Sequence, residues 1–228
     1  MKILRRVLLG IAAALILALV AFVIYAENPM RAEAEPLSTV SYVDEPDGVA
    51  LTPENPNGTG LVFIAGARVE PQAYAAKLEP LVDAGITVVI ARPTLNFAIL
   101  ELRPLSTFEA LAPDVETWFV GGHSLGGVKA CQYAAETAGL ILFGSYCAAE
   151  ISDLPVLSIG ASNDGLSTPT KIEDAADLLP ADTRFIEITG GNHAQFGDYG
   201  TQPGDGESTI SDAEFTKQLT TAILEFVG

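Results

Sequence analysis

Between residues 122 and 126 the chain reads Gly-His-Ser-Leu-Gly, after a short apolar run and before a segment of helical character. A serine held there sits on a sharp strand-to-helix turn that lifts its hydroxyl above a sheet, with a glycine two residues to either side relieving the crowding. The competing reading is a small residue in a tight turn, because the five-residue pattern also arises by chance. A serine hydroxyl is a poor nucleophile until a base takes its proton, and near neutral pH that base is usually histidine.

The chain has two histidines. His123 adjoins Ser124, so the turn directs its ring away from the hydroxyl, and it reads as a packing residue. His193 lies in the loop-like TGGNHAQFGDYG, where Gly190 and Gly191 let the backbone turn a side chain back over a sheet. A carboxylate must then orient the imidazole and stabilise its charged form. Asp164, in SIGASNDGLSTP, follows an apolar run and falls at the right end of a strand. Asp153 precedes that strand, Asp174 falls on a helix face, and Asp198 stands close to His193 in the chain. The order is Ser124, Asp164, His193.

The elements that must position these groups are legible as alternation. Apolar runs of four to eight residues recur near 60–66, 86–92, 118–122, 139–146, 155–160 and 184–189. They are continuous rather than alternating, as in strands covered on both faces of a parallel sheet. Helical segments are predicted over 72–85, 106–117, 125–139, 170–180 and 211–227, with Gly85 and Gly139 as stops. Alternating apolar residues on either side of the EPDG at 45–48 predict a short antiparallel hairpin at the sheet edge. The whole is an α/β fold, a mostly parallel doubly wound sheet. About eight residues separate Tyr146 from the strand at Pro155, which leaves no room for a large lid.

The set GGHSLGG, ASNDG and GGNHAQFGDYG, on such a sheet, resembles the α/β-hydrolase superfamily, in particular its small lidless bacterial serine hydrolases, over residues 38–228. The resemblance implies an oxyanion site of two backbone N–H groups, one from the residue after the nucleophile and one from the loop after an early strand. Those positions match Leu125 and Ala67. The usual His-Gly of that loop is Ala65-Gly66 here, so Arg68 stands as the alternative second donor. Its side chain meets an acidic group of the substrate or is a surface cation. Residues 93–100, PTLNFAIL, border the cleft and offer Asn96 and Phe97 as substrate contacts, or are ordinary core.

Residues 7–25 form an unbroken apolar stretch behind Lys2, Arg5 and Arg6. As a helix it would span about 28 Å, close to the thickness of a bilayer's hydrocarbon. Residues 1–26 therefore read as a signal anchor or, alternatively, a signal peptide, residues 27–37 as a tether and 38–228 as the catalytic domain. Either reading exports the domain, which is left on the extracytoplasmic side of the membrane or is secreted. Beyond residue 26 the chain holds nine Lys and Arg against 29 Asp and Glu, a formal charge of −20, which disfavours nucleic acid as a partner. Cys131 and Cys147 fit no metal spacing and are expected as two buried small side chains rather than a bridge.

The expected activity is hydrolysis of a small-molecule ester, thioester or amide through an acyl-enzyme, without metal or organic cofactor. An acyltransferase with the same triad, and a binding protein that keeps the fold without catalysis, are the rivals.

Overall fold

The computed structural model describes residues 2–33 and 41–228. Eight strands form one sheet: β1 (Ser41–Glu45), β2 (Gly48–Thr52), β3 (Thr59–Ile64), β4 (Thr87–Ala91), β5 (Thr117–His123), β6 (Leu140–Phe143), β7 (Val156–Ala161) and β8 (Arg184–Ile188). Their order is β1-β2-β4-β3-β5-β6-β7-β8. The hairpin β1–β2 pairs antiparallel onto β4, and β3 to β8 run parallel. Each expected strand is present, and the start of the expected domain at Ser38 lies outside the described residues.

The continuous apolar runs find partners on both faces. In β3, Leu61 and Phe63 join a core with α2 (Ala75–Asp83) and α6 (Asp212–Val227), where Phe143, Phe196 and Phe215 also pack. Val62 and Ile64 point the other way, into a core with Phe108 and Ala130 from α3 (Ser106–Glu109) and α4 (Leu125–Tyr133). Successive strand residues face opposite sides, so a strand serving two cores has no polar position to spare. A shorter helix, α5 (Pro169–Asp174), precedes β8.

Two helical expectations change. The segment 106–117 forms a single helical turn, because Pro113 has no N–H to donate and disfavours helical backbone at the residue before it. Gly85 does end its helix in the left-handed region, at φ 93°. By contrast, α4 stops well before Gly139, where a Cβ would press on the Phe119 ring at 2.8 Å.

Cys131 and Cys147 form a disulfide with Cα atoms 5.8 Å apart. The expectation of two free side chains rested on their falling in different elements. The loop after β6 folds back along α4, however, and brings the two together. The bridge ties the helix that begins at the Ser124 turn to the loop beside it, and fits an oxidising compartment.

The expected tether is docked over its first half. The apolar helix α1 (Lys2–Ala26) ends with Ala26 fully buried. Met30 then pairs with Val69, the Ala32 N–H donates to the Glu70 carboxylate at 2.7 Å, and the Glu33 N–H donates to the Asp198 carbonyl at 2.9 Å. Residues 34–37 lie outside the described residues.

Candidate active site

Ser124 separates β5 from α4 at φ 54° and ψ −123°, a region that costs a non-glycine residue about 1–3 kcal/mol. Its neighbours enforce that conformation. The Ser124 N–H donates to the Phe143 carbonyl at 3.0 Å, and the Ser145 hydroxyl donates to the Ser124 carbonyl at 2.7 Å. The flanking glycines are steric necessities. A Cβ on Gly126 would stand 2.1 Å from the Ile64 carbonyl oxygen, and one on Gly122 2.5 Å from the backbone of Gly126. The first turn of α4 is thereby pressed against the end of β3, and its positive end faces the serine.

Asp164 follows β7 and His193 follows β8, so both arrive at the carboxyl edge of the sheet, where β5 delivers Ser124. The two are buried and joined, His193 Nδ1 to Asp164 Oδ2, at 2.7 Å. Asp164 Oδ1 accepts from the N–H groups of Leu166 and Ser167 at 2.8 and 2.7 Å, which fixes the carboxylate. His193 Nε2 is buried and has no hydrogen-bond partner among the described residues. The His193 ring lies 4.3 Å, centroid to centroid, from that of His123, the residue next to Ser124.

Sequence reasoning missed two connections. His123 is more than packing. The Tyr74 hydroxyl accepts from the Gly66 N–H at 3.0 Å and stands 2.9 Å from His123 Nδ1, which links the loop after β3 to the Ser124 turn. Burial above all, and secondarily the neighbouring His193 ring, depress the pKa of His123 well below its ordinary value. His123 is therefore neutral at pH 7, and Nδ1 can accept the phenolic proton. Burial also raises the pKa of Tyr74, so that proton stays in place.

The second is Asp205, whose carboxylate accepts from the N–H groups of His193 at 3.1 Å, Ala194 at 2.8 Å and Gly165 at 3.1 Å. It binds the histidine loop to the aspartate loop. Its only signal in the sequence is the Gly-Asp-Gly at 204–206, which reads as an ordinary turn. Asp205→Ala is expected to cost about 2 kcal/mol of stability and to lower kcat with little change in KM, because it strands several N–H groups and loosens His193. Asp205→Asn, which keeps one acceptor oxygen, is expected to recover part of both; thermal melts and steady-state kinetics measure this.

The remaining candidates divide. The N–H of Leu125 is in the first turn of α4, where no intrahelical acceptor exists, and no described residue accepts from the N–H of Ala67. Arg68 is engaged elsewhere. Its N–H donates to the Asn96 carbonyl at 2.7 Å, and its guanidinium donates to the carbonyls of Tyr25 and Asn28 at 3.0 and 2.6 Å while stacking on the Tyr25 ring. The second-donor alternative for Arg68 thus loses its free N–H. Asn96 donates from its side chain to the Ala26 carbonyl at 3.0 Å, and Phe97 meets Phe22 at 5.6 Å between centroids. All three face the end of the apolar helix. A cavity of about 390 Å³ under α5, lined by Ile172 and Phe185 among others, includes none of the candidate residues.

Glu101 pins the loop after β4. Its buried carboxylate accepts from the Thr94 N–H at 3.0 Å and from the Arg103 N–H and Nε at 2.8 Å each. Burial alone would raise its pKa, but the hydrogen bonds from Arg103 and Thr94 outweigh that and bring it to about 2. A depressed carboxyl pKa stabilises the fold above the ordinary value of 4.5 and loses that contribution as pH falls toward 2. Glu101→Gln is expected to lower stability by about 2 kcal/mol at pH 7. The gap between parent and variant in denaturant melts should narrow between pH 4.5 and 2.

The profile of the alpha/beta hydrolase family matches residues 60–217, more than half of the chain. No curated protein matches it significantly. Among solved structures, a lidless serine hydrolase of Xanthomonas campestris, XC6422, aligns with a TM-score of 0.55 at 15% identity, over 84% of this chain and 97% of that one. The alpha/beta hydrolase MGS-MChE2, from a lagoon-sediment metagenome, gives 0.60 at 18% identity, over 81% and 98%. Esterase 2 of the planctomycete Thermogutta terrifontis gives 0.56 at 13%, over 84% and 93%. These similarities are of fold, the family match is of sequence, and together with the Ser124 turn they lead to one assignment: the chain belongs to the alpha/beta hydrolase family.

Proposed function

We propose that the protein is a serine esterase, held at the membrane by α1 with its catalytic domain on the extracytoplasmic side. The observation that carries the reading is the buried 2.7 Å pair of His193 and Asp164, set at the same sheet edge as a serine in strained backbone. Ser124 Oγ attacks the ester carbonyl and His193 Nε2 takes its proton, while Asp164 keeps the other ring nitrogen protonated and stabilises the imidazolium. The N–H groups of Leu125 and Ala67 receive the oxyanion. As the ester C–O bond breaks, His193 gives its proton to the leaving alcohol. Water, deprotonated by His193, then releases the acid and frees Ser124. Nε2 without a partner fits a resting site whose Ser–His hydrogen bond closes only with substrate, as catalytic hydrogen bonds often do.

Supporting the ester reading, the Thermogutta terrifontis esterase has been captured with propionate and as adducts of sarin and tabun. The test is a fluorophosphonate probe on the full chain in detergent, together with p-nitrophenyl esters. Labelling at Ser124 with ester turnover is the expected result; an unlabelled, inactive but folded protein would leave a binding role.

A further inference from the structure

The apolar helix and the catalytic domain meet at the same edge of the sheet that carries Ser124. The end of α1 is received by the domain's own groups: Asn96 takes the Ala26 carbonyl and Arg68 those of Tyr25 and Asn28. A cation on the last carbonyls of a helix is favourable for the helix dipole as well as for hydrogen bonding. Arg68 is the next residue after Ala67, the proposed oxyanion donor, so the residue that receives the foot of the helix adjoins that position in the chain. From there residues 30–33 run along Val69 and Glu70 to Asp198, close to the histidine loop.

Depth follows from one contact. Phe22 lies inside the apolar stretch, four residues or about 6 Å of helix before Ala26. Phe97 packs against it. If Phe22 is in the bilayer, the loop carrying Phe97 is at its surface or below it. That loop also displays the least covered aliphatic side chains among the domain's described residues: Leu102 is 91% exposed and Ile99 70%, with Leu100 beside them. Glu101, between Leu100 and Leu102, holds the loop rigidly from within, so the exposure is not that of a loose segment.

We propose that residues 94–102 form a second membrane-contacting element, dipping Ile99, Leu100 and Leu102 into the bilayer beside the anchor. Ser124, at the same edge of the sheet, then faces the lipid surface and takes long-chain esters from it. The inference rests on the anchored reading above. The occupant is lipid because the loop bearing these side chains packs, through Phe97, against a helix built to cross a bilayer, and apolar groups placed there leave water.

Phe22→Trp and Leu102→Trp, each made in the full chain and reconstituted in phosphatidylcholine vesicles with brominated acyl chains, test it. The parent, whose one tryptophan, Trp118, lies at the opposite end of β5, gives the background against which quenching of each introduced residue is read. Quenching of both introduced tryptophans supports the proposal. Quenching at 22 without quenching at 102 overturns it and leaves the anchor standing; absence of quenching at 22 overturns the anchor and the proposal together. In parallel, Leu102→Asp should slow cleavage of a long-chain ester embedded in the vesicles by about tenfold or more, while leaving a water-soluble short-chain ester unaffected. Equal rates for parent and variant on the embedded ester would also overturn it.

Discussion

Ser124→Ala is expected to fold as the parent does and to lose on the order of 10⁴- to 10⁶-fold of its ester turnover, as when a unit of nucleophile and base loses one member. The turn should survive because its supports are backbone groups. Phe143 takes the residue's N–H and Ser145 its carbonyl, and neither bond uses the hydroxyl. Alanine keeps the strain of φ 54° and removes only Oγ. Ser124→Gly sharpens the test, because glycine occupies that region at no steric cost. It should match alanine in lost activity while gaining about 1 kcal/mol of stability relative to it. Calorimetry beside p-nitrophenyl ester assays separates the two quantities, and parent-like turnover by Ser124→Ala would remove the nucleophile assignment.

The second large effect concerns a proton's location. Asp164→Asn is expected to lower kcat by about 10⁴-fold with the fold intact. The asparagine oxygen can still accept from Leu166 and Ser167, so the loop keeps its shape. Its NH₂ then faces His193 Nδ1, where the carboxylate stood at 2.7 Å. Nδ1 must become the acceptor, and the ring proton moves to Nε2, the nitrogen meant to receive the proton of Ser124. Nitrogen-15 NMR of the imidazole reports the tautomer, and kinetics report its consequence. Retained turnover would show that another carboxylate orients the ring.

What the sequence disclosed, and what it did not, divides by range. The Ser124 turn was legible because its requirements lie within five residues: two glycines that leave no space for a Cβ, and a strand and helix on either side. The positions of Asp164 and His193 followed from strand ends, which continuous apolar runs mark well. Asp205 did not announce itself, since its partners His193 and Gly165 are 12 and 40 residues away and a Gly-Asp-Gly turn explains itself locally. The docking of residues 26–33 was hidden for the same reason. Their acceptors and donors in Arg68, Glu70 and Asn96 lie about forty to seventy residues on, and an Ala-, Glu- and Pro-containing stretch carries no periodicity to betray a partner.

The covalent link between Cys131 and Cys147 bears on how the enzyme must be made. It closes a loop across a separation of 16 residues, worth about 3 kcal/mol against an open chain, a sizeable share of a typical domain's margin. Recombinant material from a reducing cytosol would begin life without that reinforcement under the Ser124 turn. Samples matured in the periplasm and samples purified with thiols should therefore be treated as two different preparations.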